Sequence, residues 1–86
     1  VLYPQQPASA NPKTCWNWYD PAHQRRDEGE PASIAALTRQ VQREYRADPA
    51  RTYVAGISAG GAMALNTAAA YPERYAAVAV HSALPW

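Results

Sequence analysis

Residues 52–80 read TYVAGISAGGAMALNTAAAYPERYAAVAV, and this stretch constrains the fold more than any other. TYVAG (52–56) is a continuous apolar run too short for a helix, so it reads as a buried strand. Residues 59–71 are alanine-rich and helix-forming, and they stop before Pro72. YAAVAV (75–80) is a second short apolar run and reads as a second buried strand. Strand, helix, strand with apolar strands throughout calls for a parallel pair joined by a right-handed crossover. In such sheets ligands bind beyond the C-terminal ends of the strands.

The segment before it adds a helix and a loop. Pro31 to about Arg46 is amphipathic, with Ile34, Leu37, Thr38, Val41 and Tyr45 at helical spacing and Arg39, Gln42, Arg43 and Arg46 mostly opposite. Pro31 suits a first turn, and Asp48-Pro49 closes the helix. Residues 5–29 are a long loop with Pro7, Pro12 and Pro21 and the aromatic run WNWY at 16–19. Loops of this length without their own structure are usually functional or disordered, and the aromatics argue for order. Val1–Tyr3 reads as a further short strand ended by Pro4. The order is then strand, long loop, helix, strand, helix, strand, an α/β arrangement in one small unit without internal repeats.

With 86 residues the chain holds at most one small domain. Eight basic against seven acidic residues leave a net charge of +1, which gives no electrostatic footprint for nucleic acid or an anionic membrane. No apolar stretch is long enough to span a bilayer. No His/Cys cluster has metal-ligand spacing, so no metal or cofactor is implied. The chain opens VLYP, without methionine or a signal-peptide pattern, and stops at LPW just after a strand-like run, so both ends read as cuts through a longer protein.

Gly56-Ile57-Ser58-Ala59-Gly60, set between strand and helix, has the form G-x-S-x-G of a nucleophile elbow. Ser58 would sit at the tip of a sharp turn whose flanking positions crowd each other, so Gly56 and Gly60 keep them small. The Ala59 N–H could donate to an oxyanion, and the helix N-terminus favours developing negative charge. The alternative is that Ser58 only caps a helix. Strand before, helix after and small residues at each crowded position favour the elbow.

CWNW (15–18), HQRRDEGEPASIAALTRQV (23–41), DPARTYVAGISAGGAMA (48–64) and YAAVAVHSALP (75–85) together resemble the poly(3-hydroxybutyrate) depolymerase-type esterases of the α/β-hydrolase superfamily. The resemblance covers nearly the whole chain. It implies a secreted serine esterase with Ser58 as nucleophile. It implies part of a three-layer α/β-hydrolase sandwich, with residues 1–86 a central fragment of one catalytic domain holding the family's strands 4, 5 and 6. The family's strand 3 would lie between Val1–Tyr3 and Thr52–Gly56, so those two should not pair directly.

A serine hydrolase also needs a base and a carboxylate, in the order Ser, Asp or Glu, His for this superfamily. After Ser58 the only acid is Glu73 and the only histidine is His81. Glu73 precedes the last strand and His81 ends it, so they fall at opposite edges and cannot bond. His81 is expected to pack beside the elbow rather than act as base; Ser82 has no elbow around it. His23 precedes the serine, against the family order, and reads as a loop or substrate-lining residue. Asp20, Asp27, Glu28 and Glu30 are expected to pair with Arg25 and Arg26. The family's second oxyanion donor, from an HGC-type segment, has no counterpart here. The 86 residues alone are therefore expected to be nearly inactive.

Trp16, Trp18 and Tyr19 read equally as an acyl-binding wall or as a cap on the core. Cys15 reads as a free thiol or, by the resemblance, as one half of a disulfide to a cysteine outside this chain. The implied substrate is a hydroxyalkanoate polyester or oligomer, with feruloyl or acetyl-xylan esters as alternatives. A truncated remnant or a binding module that keeps the aromatic loop without chemistry is the alternative of another class.

Overall fold

The computed structural model of the chain describes residues 1–81. Two helices, α1 (Gly29–Tyr45) and α2 (Ala59–Ala70), and two strands, β1 (Tyr53–Ile57) and β2 (Ala77–His81), make up its regular structure, with single 3-10 turns at Pro21–His23 and Pro49–Arg51. The strands pair in parallel, Val54 opposite Val78 and Gly56 opposite Val80. The connection between them is α2, as the apolar strand–helix–strand pattern requires.

Helix α1 begins two residues before Pro31 and ends when Arg46 takes a left-handed conformation (φ 52°), its N–H returning to the Gln42 carbonyl. The helix thus ends before Asp48-Pro49, and the Asp48 side chain accepts from the Ala50 N–H at 2.9 Å and caps the 3-10 turn that leads into β1. Helix α2 ends at Ala70, and Pro72 lies just beyond its C-cap Tyr71.

The buried core runs along α2, where Ala62, Met63 and Ala64 are buried, and Tyr71 just beyond it joins Ala35 of α1 and Tyr75 in one cluster with Val54 and Ala70 packed against it. Thr38 shares a 2.9 Å hydrogen bond with the Tyr75 hydroxyl inside this core. Burial, partly offset by that bond, raises the Tyr75 pKa. The buried face of α1 is thus Pro31, Ala35 and Thr38, at i, i+4 and i+7. Leu37 and Tyr45, expected in the stripe, are exposed.

Three further expectations are corrected. Val1–Tyr3 forms no strand: Val1 and Tyr3 are open to solvent, and no described strand lies alongside to accept their hydrogen bonds. They do not pair with β1, as expected, but for that more basic reason. The strands are also not buried on both faces. Val54 and Gly56 are half-covered on the helix side, whereas Tyr53, Ala55 and Ile57 and the whole of β2 are exposed. The described residues therefore form two layers, helices on one face of a sheet, rather than three. Their opposite face is apolar because a parallel strand sequence assumes cover on both sides.

Candidate active site

The turn between β1 and α2 holds strained and crowded backbone. Ser58 stands at its tip with φ 55° and ψ −122°, a conformation that costs an L-residue about 1–3 kcal/mol. Its N–H donates to the His81 carbonyl at 2.9 Å, which latches the tip to the end of β2. Its carbonyl accepts from the Ala62 N–H at 3.0 Å, the first bond of α2. The serine is exposed, and its side chain makes no capping hydrogen bond. The helix-cap reading therefore does not describe what the side chain does. Ala59 is the first helical residue, so its N–H has no intrahelical acceptor and belongs to the positive end of the helix dipole.

The crowding at the turn is one-sided. A Cβ on Gly56 would overlap the Gly60 carbonyl group and the Gly61 nitrogen. A Cβ on Gly60 would meet only the Trp16 indole, at an ordinary 3.8 Å. Gly56 is thus obligatory, and Gly60 is the point where the long loop touches the turn.

Trp16 is half-buried against that first turn of α2. Trp18 and Tyr19 meet edge to face at 5.9 Å, and Tyr19 is largely exposed. None of the three belongs to the core cluster. The Trp18 carbonyl accepts from Asn66 Nδ2 at 2.9 Å, which ties the loop to α2 two turns beyond Ser58. His23 is half-buried at the start of α1, where its Nδ1 accepts the Glu30 N–H at 2.9 Å. Its ring proton is therefore on Nε2, and its carbonyl takes a second bond from Asn66. His81 ends β2 beside the turn; by register its exposed side chain shares the open sheet face with Ile57.

Of the loop acids only Glu28 pairs as expected, with Arg25, in a loose exposed contact at 4.0 Å. Asp20 caps the turn at Pro21–His23, and Asp27 accepts from the Tyr71 hydroxyl at 3.0 Å. Arg26 reaches Glu73 instead and also lies over the Tyr71 ring. The amide of Glu73 itself, and then Arg26, hold the Glu73 carboxyl below its usual range. Committed there, at the opposite end of β2 from His81, Glu73 is not placed to orient a histidine. Glu30 pairs with no arginine: it is buried and accepts three hydrogen bonds, from the Asn17 N–H (2.7 Å), Asn17 Nδ2 (2.6 Å) and Gln6 Nε2 (2.7 Å). Sequence reasoning missed this hub, and with it Gln6, Asn17 and Asn66. The one available signal was a polar residue between two tryptophans in a loop that had to be held by something. Ser82 lies outside the described residues.

The model of the family Esterase PHB depolymerase matches residues 1–86. The chain belongs to that family. The chain is similar to Poly(3-hydroxyalkanoate) depolymerase C of Paucimonas lemoignei, 39% identical over 79 residues, which are 92% of this chain and 19% of that protein. Probable acetylxylan esterase A of Aspergillus fumigatus is 37% identical over 86 residues, 99% of this chain and 22% of that protein. Feruloyl esterase B of Neurospora crassa is 37% identical over 83 residues, 95% of this chain and 27% of that protein. The chain thus spans about a fifth to a quarter of the length of these esterases. None of its described helices is long and apolar enough to cross a membrane, and no group of three or more His, Cys, Asp or Glu among the described residues could hold a metal ion.

Proposed function

We propose that the protein is a carboxylic-ester hydrolase in which Ser58 attacks the ester carbonyl. The observation that carries this reading is the Ser58 turn: in a family of esterases, an exposed serine holds a strained backbone at a strand–helix junction, with no capping bond to occupy its oxygen. The hydroxyl oxygen would add to the carbonyl, its proton passing to a base. The Ala59 N–H would stabilise the oxyanion, the alcohol would leave with that proton, and water would then hydrolyse the acyl-Ser58 ester.

Among the described residues neither Glu73 nor His81 fits the acid and base. The reading therefore assigns these, with the second oxyanion donor, to chain outside these residues, so that residues 1–86 form the central piece of one α/β-hydrolase catalytic domain. Loss of triad members costs several orders of magnitude in rate, so the 86 residues alone are expected to be nearly inactive. Family membership supports a secreted enzyme, and Cys15, an exposed free thiol here, is assigned a disulfide partner outside the chain.

The proposed substrate is a hydroxyalkanoate polyester or oligomer, with Trp16, Trp18 and Tyr19 as its apolar wall and His23 and His81 at the margins. The depolymerase relative supports it, and the acetylxylan and feruloyl esterases are the specificities it competes with. The test is a panel of hydroxybutyrate oligomers, acetylated xylan and feruloyl esters on the protein expressed from its complete reading frame. Hydroxybutyrate oligomers should give the highest kcat/KM, and Ser58→Ala should abolish turnover. A clear preference for feruloyl or acetyl-xylan esters would overturn the substrate, and turnover surviving in Ser58→Ala would overturn the mechanism.

A further inference from the structure

Glu30 is an acid with three donors converging on its two oxygens, although it sits in the first turn of α1, where solvent normally surrounds such a residue. Its relative exposure is 8%. Oε1 accepts the Asn17 N–H, and Oε2 accepts both Asn17 Nδ2 and Gln6 Nε2. Gln6 Nε2 also reaches the Cys15 carbonyl at 3.2 Å. Glu30 therefore grips residue 17 directly and residue 15 through Gln6. Between them lies Trp16, whose indole rests against Gly60 in the turn that carries Ser58. Its other end is fixed as well, because the Glu30 N–H is held by His23 Nδ1.

We infer that Glu30 is a positioning residue, which sets Trp16 against the Ser58 turn and so shapes the acyl-binding wall of the site. The inference rests on the proposed esterase reading for its functional half only; that Glu30 places Trp16 is a statement about the loop. The carboxylate is needed because its three hydrogen-bond partners are all donors; His23 Nδ1 lies farther off, 4.0 Å from Oε2. A glutamine can offer its oxygen to one side of the hub but then turns its NH2 toward a donor on the other, so at least one bond becomes a repulsion. Buried bonds of this kind to a charged group are the strong ones, and their loss should release the loop rather than the fold.

The experiment uses Glu30→Gln in the protein expressed from its complete reading frame, labelled with 5-fluorotryptophan. The Trp16 resonance, assigned with Trp16→Phe, should move toward that of a solvent-exposed tryptophan. With a long-chain acyl ester, KM should rise about tenfold while kcat falls less than about threefold, a loss of binding rather than of chemistry. Asn17→Ala, which removes one donor and leaves the backbone N–H, should give the same pattern more weakly, and it carries the test if Glu30→Gln does not fold. An unmoved Trp16 resonance overturns the inference, as does a moved resonance with KM unchanged. If the wild type turns over no ester at all, the esterase reading fails, and the resonance alone still decides whether Glu30 places Trp16.

Discussion

Two regions meet at Gly60, and they are held in different ways. The turn at residues 56–61 is fixed by backbone: a strained Ser58, a glycine with no room for a methyl group, and two main-chain bonds that latch the tip to β2 and to α2. The loop at residues 5–28 has almost no regular structure, and side chains hold it. Glu30 gathers its first half, Asn66 takes the Trp18 and His23 carbonyls, and Tyr71 takes both the amide and the carboxylate of Asp27. A turn made of backbone tolerates no change of conformation and places one atom accurately. A loop held by a few polar anchors can vary its surface while keeping its position. Under the proposed function, such a division would suit fixed chemistry at Ser58 and a substrate that differs as the relatives' names do.

The comparison breaks most severely at Gly56. Gly56→Ala forces a methyl group into the Gly60 carbonyl, and the expected loss is about 4 kcal/mol by urea denaturation. A cost below about 1 kcal/mol would mean that the turn has room for the methyl group. On the loop side, Asn17→Ala removes a bond to a buried carboxylate and should cost about 1–3 kcal/mol, with new protease cleavage confined to residues 5–28. Cleavage spread over the whole chain would show that the loop anchors are part of the fold's foundation.

Tyr75→Phe tests the core beneath both regions. It removes the bond to Thr38, whose hydroxyl still donates to the Ile34 carbonyl, and should cost about 1 kcal/mol near pH 7. Burial raises the Tyr75 pKa above 10, so above pH 10 the unfolded chain loses this proton before the folded one does. Stability then falls as pH rises, and the phenylalanine variant should lose that alkaline dependence. An unchanged pH profile would place the dependence elsewhere. The smallest effect belongs to Gly60→Ala: its methyl group meets Trp16 at ordinary distance and helix propensity favours it, so stability should hold or gain up to about 1 kcal/mol. A large loss would mean that Trp16 packs closer than 3.8 Å.

The same division governs what could be read from the residues alone. β1, α2 and β2 were legible to within one or two residues, because local apolar runs, glycines and Pro72 dictate them. The Ser58 turn was legible because crowding at Gly56 permits only glycine, although the same expectation for Gly60 does not hold. Three things were not. Val1–Tyr3 has strand composition, yet a strand exists only beside a partner. The buried face of α1 runs through Ala35 and Thr38 rather than Leu37 and Tyr45, because it meets Tyr71 and Tyr75, two partners distant in sequence. The Glu30 hub joins residues 6, 17 and 30, and nothing in local sequence encodes a contact across 24 positions. The nearby Arg25 and Arg26 suggested simple ion pairs, whereas amide donors won the carboxylate.

The account stands on Ser58 as the reactive group. The most direct measurement is to treat the protein expressed from its complete reading frame with a fluorophosphonate, digest it, and map the adduct by mass spectrometry, with Ser58→Ala alongside. The account predicts a single adduct on the peptide carrying Ser58, absent in the alanine variant. No adduct there in the wild type, or labelling that survives the substitution, would contradict it.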